Sequence, residues 1–372
     1  MIKPENFNIP GNRPRVLVAP LDWGLGHATR CIPVIFKLLE QRCDVIVAAE
    51  GAVKFLLQKE FPDLVFIELR GYRMRYSRNR FWMPLKLMVQ FPKLIYRVYA
   101  EKRWLQETVD AYKIDAVISD NRLGLSHKKI PGVYITHQLL IKTGNRFTER
   151  IAQIIHYHFI NKYKACWVPD AAGKINLAGE LSHPVLLPKI PLQYLGLLSR
   201  FENTVIGFKY DLCIILSGPE PQRTVFEKII LNEVKGLRGN VILLRGLPGK
   251  LLADELNNPV LEIKDHLSAA ELSIVLQQSK MVISRCGYTT VMDLVKLQKR
   301  AILVPTPGQT EQEYLARYLH QQKLFYCAQQ KNFSLQDVLK NAANFQYAEL
   351  TIPQKDHEAV IEDFVRALKK NQ

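Results

Sequence analysis

The sequence predicts an α/β protein of two doubly wound domains, and three observations carry that reading. Short β-branched runs alternate with helix-period stretches, and the alternation runs twice along the chain. The 372 residues suit two domains, each able to bury a sizeable core. Polar, glycine-bearing loops follow several of the runs, where ligands of open α/β sheets bind. Hydrophobic residues at 48% and charged residues at 23% exclude bulk disorder and collagen-like repeats. The six cysteines are scattered and form no CxxC pair, which argues against a disulfide scaffold, a zinc ribbon or a thioredoxin-type centre and fits a reducing compartment.

In the first half, strands are expected over Arg15–Ala19, Asp44–Ala48, Val65–Leu69, Ala116–Ser119 and Gly132–Thr136, with a helix over Ala28–Leu39. Their apolar runs are continuous, as in parallel sheets buried on both faces. The pattern breaks at LGLLSRFENTVIGF, which places a boundary near residue 200. In the second half, strands are expected over Leu212–Ser217, Val241–Arg245, Met281–Ser284 and Ala301–Val304, with helices over Thr290–Leu297 and Thr310–His320. From His357 the sequence HEAVIEDFVRALKK reads as an amphipathic helix. The expected division is residues 1–200, residues 201–356, and a helix over 357–372 that packs back on the first domain.

Charge is uneven. Residues 1–200 carry 30 Lys and Arg against 16 Asp and Glu, so nearly all of the net +16 lies there, and that half should face an anionic partner. Arg70–Arg103 holds ten basic residues, one acid (Glu101) and seven aromatics. Such a segment suits peripheral contact with an anionic membrane surface, with Phe81–Val89 inserting shallowly. A solvated face, a pocket for an acidic acceptor and an oligomer contact are the alternatives. No RNA-binding module is recognisable, so no nucleic acid is expected. The opening MIKPENFNIPGNRP is polar and proline-broken, and no run approaches a membrane span. The expected location is cytoplasmic, peripheral at the inner face of the cell membrane.

The loop LDWGLGHATR joins strand to helix. Gly24 and Gly26 permit a tight turn, and His27 falls in the first helical turn. A third glycine, required three residues after Gly26 by a dinucleotide fingerprint, is replaced by Thr29. A neutral histidine at a helix N-terminus is a candidate general base, and Asp22 stands near enough to orient it. A simple glycine turn explains the same residues. After later strands come Asp120 and Asn121, and His137 and Gln138. They are candidates to contact acceptor hydroxyls, with Asp120 also placed to assist His27.

In the second half, Ser217, Gly218 and Arg223 follow one strand and Arg245 ends the next, which suits a phosphate. The loops ISRCGYTTVMDL and VPTPGQTEQEYLA each run from strand through glycine to helix. Asp293 is placed to accept from ribose hydroxyls, and Gln312 and Glu313 to bond sugar hydroxyls. Thr290-x-x-Asp293 and Thr310-x-x-Glu313 equally match capping boxes.

Together these motifs resemble the inverting GT-B glycosyltransferases of family 28, which include the peptidoglycan lipid-intermediate N-acetylglucosaminyltransferase and the galactolipid synthases. The resemblance is strongest in Leu21–Pro33 and Ser284–Tyr314 and thin between residues 50 and 110. Gly24, Gly26, His27 and Pro33 match the first loop, where Leu25 replaces a further glycine. Arg285, Gly287, Thr290 and Asp293 match the nucleotide loop, with Asp293 on the acidic ribose ligand. Pro305, Gln312 and Tyr314 match the donor-sugar loop, where Glu313 replaces a frequent second glutamine. ITHQLLIKTGNR resembles the acceptor-side segment. The resemblance implies two Rossmann-like domains facing across a cleft, a UDP-sugar donor, a lipid-linked or glycan acceptor, and inversion. Metal-dependent glycosyltransferases of the other fold use an Asp-x-Asp motif, and this chain has none. No cofactor and no metal site is therefore expected, with helix starts and arginines stabilising the leaving group. A UDP-sugar hydrolase or 2-epimerase, or a non-catalytic nucleotide-sugar-binding protein, are the competing functions.

Overall fold

The computed structural model describes residues 13–73, 83–204, 206–247, 260–349 and 356–370. These form two compact units, residues 13–73, 84–198 and 356–370 in the first and residues 199–204, 206–247 and 260–349 in the second.

The first unit is a seven-stranded sheet of β1 (Arg15–Pro20), β2 (Asp44–Ala49), β3 (Val65–Glu68), β4 (Ala116–Asp120), β5 (Gly132–Ile135), β6 (Ala165–Val168) and β7 (Leu192–Tyr194). The order is β3-β2-β1-β4-β5-β6-β7, and every pairing is parallel. All six residues of β1 are buried, as a strand covered on both faces requires. Helices α1 (Leu25–Glu40), α2 (Gly51–Glu60), α3 (Met83–Tyr112) and α4 (Arg146–Ile160) connect the strands. Val34, Ile35 and Leu38 of α1 are fully buried. Each such aliphatic side chain contributes about 1.5–3 kcal/mol. Strand order reverses between β1 and β4, so their carboxyl ends form the crevice in which this topology binds ligands.

The second unit repeats the plan with β8 (Tyr210–Ile215), β9 (Val241–Leu244), β10 (Leu261–Lys264), β11 (Ser279–Ser284), β12 (Ala301–Leu303) and β13 (Tyr326–Cys327). Its order is β10-β9-β8-β11-β12-β13, again all parallel, with the switch between β8 and β11. Helices α5 (Gln222–Glu233), α6 (Ala269–Gln277), α7 (Tyr288–Lys296), α8 (Thr310–Gln321) and α9 (Leu335–Ala343) flank it. The core runs from Leu212 and Ile214 through Phe226 and Ile283 to Leu335.

The terminal helix α10 (Asp356–Lys370) returns to the first unit. Ile361, Val365 and Leu368 bury one face of it, and Phe364 meets Trp167 edge-on at 5.4 Å. Lys37 of α1 bonds Glu362 at 2.7 Å, and Lys369 donates to the Gln41 carbonyl at 3.0 Å.

Candidate active site

The residues expected for acid–base work converge at the β1/β4 switch of the first unit. Pro20 and Asp120 are register partners at the ends of their strands. Gly24 precedes α1 with φ 122°, a conformation open to glycine, and no side chain caps the helix. His27 therefore lies in its first turn. The Nδ1 atom of His27 is 3.3 Å from Asp120 Oδ2, and Asp120 is fully buried.

Arg30, which the sequence reading did not single out, sits between them. It is buried, donates from Nε to Asp120 Oδ2 at 2.7 Å and closes a second bond to Oδ1. It also donates to His27 Nδ1 at 2.8 Å and meets His137 Nδ1 at 3.2 Å. The signal was a charged residue on the apolar stripe of α1, three positions after His27, since a buried cation requires a partner. Burial first, and then Arg30, pull the His27 pKa below its ordinary value, with Asp120 opposing. Burial pushes the Asp120 carboxyl up, but Arg30 and His27 outweigh it and hold it at about 2. The imidazole is neutral and the carboxylate ionised at neutral pH.

Asp22 does not join this group. Its carboxylate accepts from the Tyr72 and Arg73 amides at 3.1 and 3.4 Å. Gly71 makes that approach possible, since a Cβ there would lie 2.0 Å from Asp22 Oδ2. Asn121 is left-handed at φ 55° and accepts from the Tyr134 hydroxyl at 3.3 Å. His137 is buried against Arg30, and the backbone N–H of Gln138 donates to Thr136. Asp22, Glu50 and Arg73 line an open cavity of about 400 Å³ beside the starts of α1 and α2.

In the second unit the arginines expected to face a phosphate are bonded within the fold. Arg223 is buried and bonds Glu220 at 2.7 Å, Glu227 at 3.2 Å, the Arg245 carbonyl and the Thr224 hydroxyl. Arg245 bonds Glu227 and Asp265. Arg285 is 1% exposed and lies 4.3 Å from the Phe226 ring. It donates to the carbonyls of Gln222, Val304 and Pro305 and to Gln330, and burial lowers its pKa to about 10. These guanidiniums tie loops together, since a buried cation needs its donors satisfied within the fold.

The donor-sugar pair is likewise turned inward. Gln312 accepts from the Thr306 amide and Glu313 from the Gly308 amide, each at 2.9 Å, which fixes the loop before α8. Neither expected capping box forms, because Gly287 and Gln309 are the N-caps and neither gives a side-chain cap. Asp293 is buried and accepts from the Ser199 hydroxyl at 2.6 Å.

Ser217 and Gly218 are exposed after β8, beside the start of α7 across the β8/β11 switch. Gly287 has an ordinary backbone, and a Cβ there would meet nothing nearer than Thr290 Oγ1 at 3.9 Å. Neither conformation nor packing requires glycine at that helix start. Near Gly218, the buried Thr306 hydroxyl has no hydrogen-bond partner among the described residues.

Burial raises the Asp293 pKa to about 6, with Ser199 and Arg200 opposing. A carboxyl raised above its unfolded value favours folding when protonated, and that advantage is lost as pH rises from about 4 through about 6. Asp293→Asn keeps an acceptor for Ser199 and removes the buried charge. Thermal unfolding of the ligand-free variant is expected at a higher temperature than wild type at pH 8, with little difference at pH 4.

The glycosyltransferase family 28 C-terminal domain matches residues 253–371. No curated protein sequence matches at a significant level. Among solved structures, the kitacinnamycin glycotransferase aligns with a TM-score of 0.63 at 12% identity, over 97% of this chain and 95% of that one. MurG of Acinetobacter baumannii aligns at 0.53 and 12%, over 96% and 99%. The spinosyn rhamnosyltransferase SpnG, complexed with thymidine diphosphate, aligns at 0.55 and 14%, over 96% of each. These likenesses extend over both units and show the GT-B fold, and within it residues 253–371 match the family 28 C-terminal domain.

Proposed function

We propose that the protein transfers a sugar from UDP to a lipid-linked or glycan acceptor by metal-independent, inverting displacement. The observation that carries this reading is the His27–Asp120 contact at the β1/β4 switch. In the displacement, the acceptor oxygen forms a bond to the anomeric carbon and the sugar–phosphate bond breaks. UDP leaves with the electron pair, and the acceptor proton passes to His27 Nε2. Asp120 stabilises the imidazolium through Nδ1–H. The leaving diphosphate is held at the start of α7 and the Ser217–Gly218 loop by backbone amides, with the Thr306 hydroxyl beside them. Arg285 and Asp293 act here through the loops they fix, and Asp293 has a second oxygen for a ribose hydroxyl.

The test is a panel of UDP-, GDP- and dTDP-sugars read by thermal shift, since a ligand that binds only the folded state raises the midpoint. The dTDP arm matters because one relative holds thymidine diphosphate. UDP-sugars alone should stabilise the protein; a dTDP preference would overturn the donor. Sugar release with no acceptor would assign a hydrolase instead.

We place the acceptor side at an anionic bilayer. Of Arg70–Arg103, residues 74–82 and the side chains of 83–88 lie outside the described residues, and so does most of the Phe81–Val89 segment. Further along α3, Val89, Phe91, Tyr96 and Tyr99 are exposed among Lys93, Arg97, Lys102 and Arg103. On α4, Phe147, Ile151 and Ile154 form an exposed stripe flanked by Arg146 and Arg150. Gln153 and Tyr157 bond the Leu186 carbonyl, which holds exposed Val185, Leu186 and Leu187 against the same helix. Basic residues near such a surface contribute about 1 kcal/mol each. No described helix is long and apolar enough to cross a membrane. The protein should sediment with phosphatidylglycerol vesicles at low salt and be released at high salt; indifference to vesicle charge would refute the surface.

A further inference from the structure

The Nδ1 atom of His27 has two rival partners. Asp120 Oδ2, at 3.3 Å, requires a proton on Nδ1. Arg30, at 2.8 Å, requires the opposite, because a guanidinium carries donors and no acceptor. The nearer contact is the arginine's, and both Asp120 oxygens are already bonded by Arg30.

We infer that Arg30 is a positioning residue that holds resting His27 in the tautomer with its proton on Nε2. In that tautomer the Nε2 lone pair is absent, so His27 donates a hydrogen bond there and cannot take a proton. The base form arises when the imidazole proton is on Nδ1, facing Asp120, and the Arg30 contact is broken. The exchange is balanced: one proton leaves Nε2, one arrives at Nδ1, and the ring stays neutral. Arg30 is thus a latch on the base that keeps it inactive until their contact is broken. The inference builds on His27 being the base, but the tautomer itself is defined without any turnover.

The other groups facing the ring act consistently. Cys31 of α1 points its sulfur at Asp120 from 3.7 Å. His137, following β5, faces Arg30 through Nδ1 at 3.2 Å, where the same argument leaves that nitrogen unprotonated. Among the described residues no second carboxylate acts on His27, and removal of Arg30 leaves Asp120 to draw the proton to Nδ1.

Nitrogen-15 NMR of the full-length protein with labelled histidine reads the tautomer directly, with the His27 signal identified by its loss in His27→Asn. Wild type near pH 8 should show Nδ1 unprotonated and Nε2 protonated. Arg30→Met should reverse the two, and the acid limb of its pH–rate profile should move to higher pH, since a cation that disfavoured imidazolium is gone. A wild-type His27 protonated on Nδ1 would overturn the inference, as would an Arg30→Met protein that keeps the proton on Nε2. If Arg30→Met does not fold, the wild-type spectrum alone decides. A dispensable His27 with the Nε2–H tautomer would sink the transfer mechanism and leave the latch geometry standing.

Discussion

His27→Ala should lower turnover by roughly 10²–10⁴-fold, the usual contribution of a positioned base, while nucleotide-sugar affinity stays near that of wild type. The separation follows from chemistry. An acceptor hydroxyl is a very weak acid and needs its proton removed as the new bond forms. In the proposed mechanism the donor diphosphate is held by the start of α7 and the Ser217–Gly218 loop and makes no use of the imidazole. The measurement is kcat alongside titration of the donor identified by thermal shift. Near-normal turnover would remove His27 from the mechanism, and parallel loss of affinity would recast it as a binding residue.

The second large effect concerns stability. Asp120→Ala should cost about 3–5 kcal/mol, because it strands the buried Arg30 guanidinium without its carboxylate. Asp120→Asn retains an acceptor and should cost less. Acid should act in the same direction. The Asp120 pKa is depressed, so its stabilising contribution is complete above the ordinary carboxyl value of 3.8 and is lost as pH falls toward about 2. Denaturant midpoints of wild type and both variants, measured at pH 7 and at pH 3, check this. The wild-type advantage over Asp120→Ala should shrink at the lower pH; an unchanged gap would place the stabilisation elsewhere.

The long central strands were legible because a parallel strand covered on both faces carries a continuous apolar run, as Val16–Ala19 of β1, Ala116–Ile118 of β4 and Met281–Ile283 of β11 do. β7 and β13 have three and two residues, too short for any periodic signal, and β10 alternates with charged residues at the sheet edge. The site was legible in part. His27 and Asp120 follow strands at a switch point, and topology brings them together across 93 positions. What the string conceals is the partner of each charge. Arg223 reads as a phosphate ligand until Glu227, one turn on, is seen to bind it, and that spacing was a local warning. Arg285 gave no such warning, because its acceptors are mostly main-chain carbonyls from distant loops. Arg30 was visible only as a charge on an apolar helix face. Gln312 and Glu313 had the spacing to reach a sugar or to reach back to their own loop, and short-range geometry favoured the loop.

The central claim is the proposal that a diphosphate leaving group rests against the start of α7. Titration of UDP into Gly287→Ala tests it most directly. The backbone at Gly287 accepts alanine and the neighbouring atoms leave room for it, so the variant should unfold at the wild-type temperature. Only a phosphate in contact with that glycine would meet the added methyl, at about 1–3 kcal/mol, which is roughly 5- to 150-fold in affinity. Weakened UDP binding with unchanged stability is the predicted result; UDP binding as tight as wild type would contradict the account.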